Sequence, residues 1–489
     1  MSENKKTGVV GGNYRWVGNN TRRPDGVDKV TGRARYGDDM VLPGMLHMRM
    51  VRSPHAHAKI LSIDTSEAEA IKGVKAVVTS KDVPDHPPAK PPFGPAVSDF
   101  HDLSRNIMAR EKVLYDGHAV AAVAATTEAI AKRAVRKIKV NYEVLPHVLD
   151  PYEAVQAGAP ILHEHQFTLG IEPKPKEPSN LFRTLGGEQG DLVRGFEDSD
   201  LVIEREFSSQ PVHQGYIEPL ACVASTSEDG AVELWTSTQG HFVARTLLSR
   251  LLNLDMSKFR VTASEIGGGF GGKTTIYHEP AAILLSMKTG RPVRSVMTRG
   301  EVLRATGPTV GSVCRIKIGA KKDGTLVAAD AEIWYQAGAF KGGPVARATD
   351  SFFSPYKIPN ARTACHDVCV NRPKAAAYRA PGAPMATWAA EAVINELANE
   401  LGLDPIEMRL KNAVKEGDTS LMGTKHGRIG CIEVLEAAKK HPHYKASLKK
   451  NQGRGFALGY WLHGGGLSSA SANLLDDGTL TLALGTPDI

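Results

Sequence analysis

A chain of 489 residues, 42% hydrophobic and 23% charged, has ordinary globular composition and enough length for several cores. Its formal charge of +7 comes from 60 basic residues interleaved with 53 acidic ones, which argues against a nucleic-acid binder. No run of about 18 apolar residues marks a membrane span, and the opening MSENKKTGVVGGNYRW lacks the apolar centre of an export signal, so a cytoplasmic or peripheral location is expected.

In chain order, residues 1–25 read as an arm rich in Gly, Asn and Arg, followed by a compact α+β unit over about 26–150. Within that unit LHMRMVRS (46–53) and HAKILSID (57–64) alternate as strands, VKAVVTS (74–80) is β-branched, and HAVAAVAA (118–125) is a buried-strand run. An amphipathic helix is predicted over 127–139, capped by Thr127 with Ile130, Ala134, Val135 and Ile138 on one face. The basic residues Lys132, Arg133, Arg136, Lys137 and Lys139 then form its solvated side. Pro-rich stretches at 85–95 and 171–180 read as a surface loop and a connector.

Beyond about 182 the units are larger. Strand VELWTST (232–238) precedes a predicted helix over 241–252, and strand FRVTASEI (259–266) leads through a glycine run to a helix over about 276–288. Residues 315–335 read as a hairpin turned at Asp323 and Gly324, and 474–489 as a hairpin entering a loop. Cys222, Cys314, Cys365, Cys369 and Cys431 are too few and scattered for a disulfide framework, zinc site or iron–sulfur cluster, so buried thiols are expected. His55, His57 and His118 offer zinc-type ligands, yet satisfied structural histidines are the expected outcome.

The glycine run GGGFGGKT (267–274) satisfies G-x-x-x-x-G-K-T, with a strand before it and a helix after it. A P-loop needs glycines so that backbone N–H groups face a phosphate, a lysine for the terminal phosphate and a threonine for magnesium. Lys273 and Thr274 would fill those two roles in a nucleotide-binding protein. Against that reading, FRVTASEI carries Arg260, Thr262, Ser264 and Glu265 and so looks half-exposed. TLVAAD (325–330), the one candidate for a strand ending in a metal-binding Asp, lies in a hairpin.

The same run sits inside a longer pattern: STQGHFVARTLLSRLLNLDMSKFRVTASEIGGGFGGK (237–273), RPVRSVMTRGE (291–301) and YKIPNARTACHDVCVNRPKAAAYRAPGAP (356–384). These segments resemble the molybdopterin-binding subunits of the xanthine dehydrogenase and aldehyde oxidase family. RSPHAHAKILSIDTSEA (52–68) and VLYDGHAVAAVAATTEAIAKRAVRKIKVNYEVLP (113–146) are similar to that family's N-terminal hammerhead domain. The resemblance runs over about 20–489 in the family's order. It implies an α+β fold with a hammerhead α/β domain at 26–150, a linker at 151–174, the first cofactor-binding domain at 175–453 and the start of a second at 454–489.

For individual residues the resemblance implies that Gln239 places a side-chain amide against the metal's oxo ligand, where an amide donates a hydrogen bond without adding charge. Gly268, Gly269, Phe270 and Gly271 would let the main chain approach the cofactor, since any Cβ there would collide. Tyr378, Arg379 and Ala380 match the family's pterin contacts, and Arg379 would offer its fork of donors. Arg347 matches a substrate-binding arginine of the purine-oxidising members. Thr274 stands where those members carry glutamate and Pro381 where they carry phenylalanine, so a purine such as xanthine loses both a hydrogen-bond partner and an aromatic sandwich. No direct protein ligand to the metal is expected.

The reaction so implied is oxidative hydroxylation of an aromatic N-heterocycle or an aldehyde, with water as the oxygen source. Its general-base glutamate would lie beyond Ile489, on a separate second cofactor-domain subunit as in nicotinate dehydrogenase or on a longer form of this chain. The chain alone is then expected to be inactive. The cofactor would be molybdopterin, with the cytosine dinucleotide form as one candidate. Electrons would leave to a [2Fe-2S] subunit and an FAD subunit. A non-catalytic assembly scaffold is the further alternative.

Overall fold

The computed structural model describes residues 16, 19–88, 99–173, 175–462 and 468–487. Most of the expected N-terminal arm and of the Pro-rich loop at 85–95 falls outside them. The strands are β1 (Leu46–Arg52), β2 (Ala58–Asp64), β3 (Val74–Thr79), β4 (Lys112–Val113), β5 (Ala119–Ala125), β6 (Lys139–Val144), β7 (Leu181–Gln189), β8 (Leu201–Ser209) and β9 (Ala221–Thr226). They continue with β10 (Val232–Thr236), β11 (Phe259–Ala263), β12 (Val293–Val296), β13 (Ser312–Ala320), β14 (Leu326–Gly338), β15 (Asn360–Cys369), β16 (Ala470–Leu474) and β17 (Leu480–Leu484). Strands and helices are mixed throughout, as an α+β fold requires.

A seven-stranded sheet runs in the order β11-β10-β9-β12-β1-β5-β3. It joins strands of the N-terminal unit to strands from beyond residue 220 through the parallel pair β1 and β12, with Leu46 opposite Val293. The compact α+β unit expected over about 26–150 thus shares one of its sheets with later strands. Parallel pairing between distant segments leaves no short-range signal, because it needs a long crossover rather than a turn. The other strands of that unit make a three-stranded sheet, β4-β2-β6. β5 is buried at every position, matching its unbroken apolar run.

The helix predicted over 127–139 is shorter, Glu128–Val135, and Lys139 already begins β6. Its cap is as expected: the Thr127 side chain accepts from the Ile130 N–H at 3.2 Å. Lys132 pairs with Glu128 at 2.6 Å, and Lys137 reaches Glu67 at 3.4 Å on the surface, as a solvated helix face would.

Helices His241–Leu252 and Glu279–Thr289 pack on the seven-stranded sheet over a core that includes Leu46, Val232, Leu234, Leu248, Leu251, Ile283 and Leu285. A five-stranded sheet, β7-β15-β14-β13-β8, carries a second core under helices Val345–Phe353 and Ala383–Glu400. The hairpin β13 and β14 turns at Gly324, whose φ of 84° suits only glycine. Glu391 and Arg409 form a fully buried pair there, Nη2 to Oε2 at 2.7 Å, and the Leu458 N–H donates to the same carboxylate at 2.6 Å. The terminal hairpin of β16 and β17 is exposed at every strand position.

Candidate active site

β10 and β11 are parallel, with Val232 opposite Phe259 and Thr236 opposite Ala263, so their carboxyl ends open at the same sheet edge. Crevices at such edges are where loops of parallel strands gather to bind ligands. Gln239 leaves β10 at that edge and the glycine run leaves β11. The Gln239 N–H donates to the Lys273 carbonyl at 2.9 Å. Its side-chain Oε1 accepts from the Gly271 N–H at 2.8 Å and the Lys273 N–H at 3.1 Å.

Two donors on one oxygen fix the orientation of the amide, and Nε2 is left to donate elsewhere. Among the described residues it has no partner. A Cβ on Gly269 would lie 2.5 Å from Oε1, so glycine at that position is a condition of the Gln239 contact.

The glycine run meets the AYRAPG segment directly. The Arg379 N–H donates to the Phe270 carbonyl at 2.9 Å, and a Cβ on Gly271 would fall 2.5 Å from the Ala377 carbonyl oxygen. Gln214 holds the second segment from below, its Nε2 donating to Ala377 O at 2.8 Å and Gly307 O at 3.1 Å.

Backbone strain concentrates here. Of the five non-glycine residues with positive φ among the described residues, three are Phe270 (52°), Arg379 (28°) and Ala380 (69°). Such conformations cost about 1–3 kcal/mol each and persist where surrounding contacts hold them, typically at ligand clamps. Phe270 is 42% exposed and Tyr378 half-buried. Arg379 is exposed, and among the described residues its guanidinium forms no ion pair, so a structural salt bridge does not account for it.

Lys273 overturns the P-loop alternative. Its ammonium is buried at 0% exposure, 2.6 Å from Glu218 Oε2 and 4.9 Å from the centre of the Tyr216 ring. Burial lowers its pKa below the ordinary lysine value, against the raising effect of Glu218. Glu218 also accepts from the Gly267 N–H at 2.9 Å and the Gly37 N–H at 3.1 Å, so the pair holds the loop's base and no phosphate can reach the lysine. The half-exposed pattern of β11 agrees with that conclusion.

Of the residues expected to border substrate, Thr274 is exposed and its hydroxyl donates to the Gly271 carbonyl at 2.8 Å. It lines a cavity of about 220 Å³ with Tyr277, Asp102, Lys341, Lys374 and Ala377. Pro381 is half-buried beside Gly382, where an added Cβ would meet the Pro344 carbonyl oxygen at 2.5 Å. Pro344 caps the helix that carries Arg347, but the Arg347 guanidinium turns to Asp350 at 3.8 Å. No hydrogen bond or ion pair links Arg347, Thr274 and Pro381 to one another among the described residues.

Glu218, Gln214 and Lys341 are contributions that sequence reasoning missed, since each reaches the site from a segment outside the quoted motifs, and Lys374 was missed although it lies within one of them. Burial lowers the Lys374 pKa, and its ammonium donates only to carbonyls, Gly342 O at 3.1 Å and Ala375 O at 3.2 Å. The three histidines weighed for zinc each meet different neighbours and are not gathered into one ligand set. His57 Nδ1 meets Pro146 O at 2.7 Å, His118 Nε2 meets Arg105 O at 2.8 Å, and His55 packs edge-on against Tyr142 at 5.0 Å. All five cysteines are free and buried.

Residues 31–146 match the aldehyde oxidase and xanthine dehydrogenase a/b hammerhead domain, and residues 174–413 match the molybdopterin cofactor-binding domain. A probable xanthine dehydrogenase subunit from Bacillus subtilis is 34% identical over 480 residues, 95% of this chain but 61% of that protein, so the chain spans less than two thirds of that relative's length. The nicotinate dehydrogenase large molybdopterin subunit of Eubacterium barkeri is 32% identical over 435 residues, 88% of this chain and 97% of that relative. The aldehyde oxidoreductase of Desulfovibrio gigas superposes with a TM-score of 0.80 at 30% identity, over 94% of this chain and 51% of that one.

Fold and matched domains together define a molybdopterin-binding subunit. The chain belongs to the xanthine dehydrogenase and aldehyde oxidase family of molybdenum hydroxylases, as a large-subunit member. No described helix is long and apolar enough to cross a membrane.

Proposed function

We propose that this chain holds molybdopterin in a multi-subunit hydroxylase acting on an aromatic N-heterocycle or an aldehyde. The observation that carries the proposal is Gln239, whose oxygen is fully engaged by the glycine loop while its Nε2 remains a neutral donor at the mouth of that loop. Glycines at 268, 269 and 271 let the loop close on Phe270, Gln239 and Ala377, where any Cβ would meet protein atoms, and so fix the surface that the loop presents. When bound, the molybdenum cofactor supplies two-electron oxidation with water as the oxygen source.

This chain's residues bind and orient. Gln239 would offer its Nε2 donor to the cofactor, Phe270 would cover it from solvent, and Arg379 with Tyr378 and Ala380 would hold the pterin. Thr274 commits its proton to Gly271 and brings no charge, and Pro381 brings no aromatic ring, which favours a substrate other than xanthine. Arg347 must break its ion pair with Asp350 to reach a substrate.

In this reading a general-base glutamate stands on a second molybdopterin-domain subunit or on a longer form of this chain, and electrons leave to a [2Fe-2S] subunit and an FAD subunit, all in the cytoplasm. The relative named a large molybdopterin subunit, 97% covered by this chain, supports that division. The domain limits 26–150, 175–453 and 454–489 belong to the same reading, with the cytosine dinucleotide as one candidate pterin form.

The test is metal and pterin analysis of the complex purified through a tag on this chain, with co-purifying polypeptides identified. Near-stoichiometric molybdenum beside a second cofactor-domain subunit is expected. A lone chain devoid of molybdenum and pterin overturns the proposal in favour of a scaffold.

A further inference from the structure

We propose that His101, Asp102 and His165 form a binding site for one divalent transition-metal ion of the zinc class, separate from the molybdopterin site. One donor atom from each residue lies within 4.8 Å of the others. Asp102 Oδ1 is 3.2 Å from His101 Nδ1, and the two histidine rings stand edge to face at 4.8 Å between centres. Ligands at about 2.0–2.2 Å from a zinc ion stand a little over 3 Å apart in tetrahedral geometry, so closing the set needs a contraction of side chains alone. Two imidazoles and one carboxylate leave the fourth position to water.

Three features support the set. Asp102 presents only one oxygen, because its Oδ2 accepts from the Lys341 ammonium at 2.6 Å, the outer hydrogen bond that typically orients a ligating carboxylate. Lys341 also reaches Asp99 Oδ2 at 2.8 Å, so two carboxylates share one ammonium and a negative charge is left over for a cation. Neighbouring His163 is already occupied, its Nε2 meeting Ala339 O at 2.6 Å, which separates the two ligand histidines from it. His165 is exposed and gives the ion an entry from solvent, while His101 and Asp102 are buried.

The ligands come from two segments, the first turn of helix Phe100–Ile107 and the 163–165 turn. An ion would therefore clamp the wall of the cavity that Asp102 and Lys341 share with Thr274.

The test is titration of the chelator-treated full chain with Co²⁺, followed by visible absorption and displacement with Zn²⁺. One Co²⁺ per chain with histidine-type bands is expected. His165→Ala, a surface change that leaves the fold intact, should weaken binding by at least about tenfold. The exposed pair His441 and His443, 6.5 Å apart, is the obvious competitor, so His443→Ala should leave the titration unchanged. Absence of bands, an unaltered His165→Ala titration, or loss of binding in His443→Ala instead would each overturn the proposal.

Discussion

The five-stranded sheet and the edge where β10 and β11 end handle buried polar groups in opposite ways. Under the sheet, Arg409 and Glu391 bond each other and Tyr356, Asn395, Pro405 and Leu458, with no described residue of positive φ in the strands or helices around them except Gly338. At the edge, Lys273 and Glu218 sit beneath loops in which Phe270, Arg379 and Ala380 hold unfavourable backbone angles. The first arrangement directs its hydrogen bonds to stability. The second uses them to hold donors that face outward, so stability is given up locally for a preformed surface.

Four changes would break or sharpen that contrast, beginning with the largest. Glu391→Ala strands a fully buried guanidinium, and denaturant unfolding should show a loss of about 3–5 kcal/mol with pterin content per folded molecule unchanged. A second effect of similar kind comes from His118, buried and stacked on Tyr115 at 4.4 Å, whose pKa is pushed down to about 4 by burial. A folded pKa below the unfolded value of about 6.5 gives stability that is complete above the unfolded value and lost as pH falls toward 4, on the order of 3 kcal/mol. Unfolding curves at several pH values should therefore show a steeper acid loss in the wild type than in His118→Gln.

Gly269→Ala drives a Cβ against Gln239 Oε1. It should cost about 1–3 kcal/mol of stability and sharply reduce pterin retention, measured on the folded fraction. Smallest in stability is Gln239→Glu, which keeps an acceptor for Gly271 and Lys273 but removes the outward donor. Its melting temperature should stay within a few degrees of the wild type while activity of the assembled complex falls. If Gln239→Glu unfolds the loop instead, the division between holding and presenting is wrong.

The sequence was readable where signals are local. The helix His241–Leu252 has the predicted limits, the turn at Gly324 lies where Asp323 and Gly324 place it, and the buried run of β5 is visible as unbroken small apolar residues. Motif order pointed to Gln239, the glycine run and AYRAPG, although no spacing shows that Phe270 and Arg379 touch. Pattern matching also produced the P-loop reading, because GGGFGGKT records residue types and not where Lys273 points. Only Glu218, arriving from a segment some fifty residues away, decides that. The helix ends at Val135, short of the expected 139, because Ile138 suits a helix face and the approach to a strand equally well.

The ladder joining β1 to β12 also has a meaning in time. Leu46 must wait for Val293, roughly 250 residues later, before its hydrogen bonds can form. A chain emerging from the N-terminus therefore carries β1, β5 and β3 as an incomplete sheet, with one edge open to any other strand, until β9 and β12 arrive. The site edge lies on the far side of that late seam, on strands contiguous with β9 and β12, so the half that carries Gln239 and the glycine run is also the half that closes the open edge of β1.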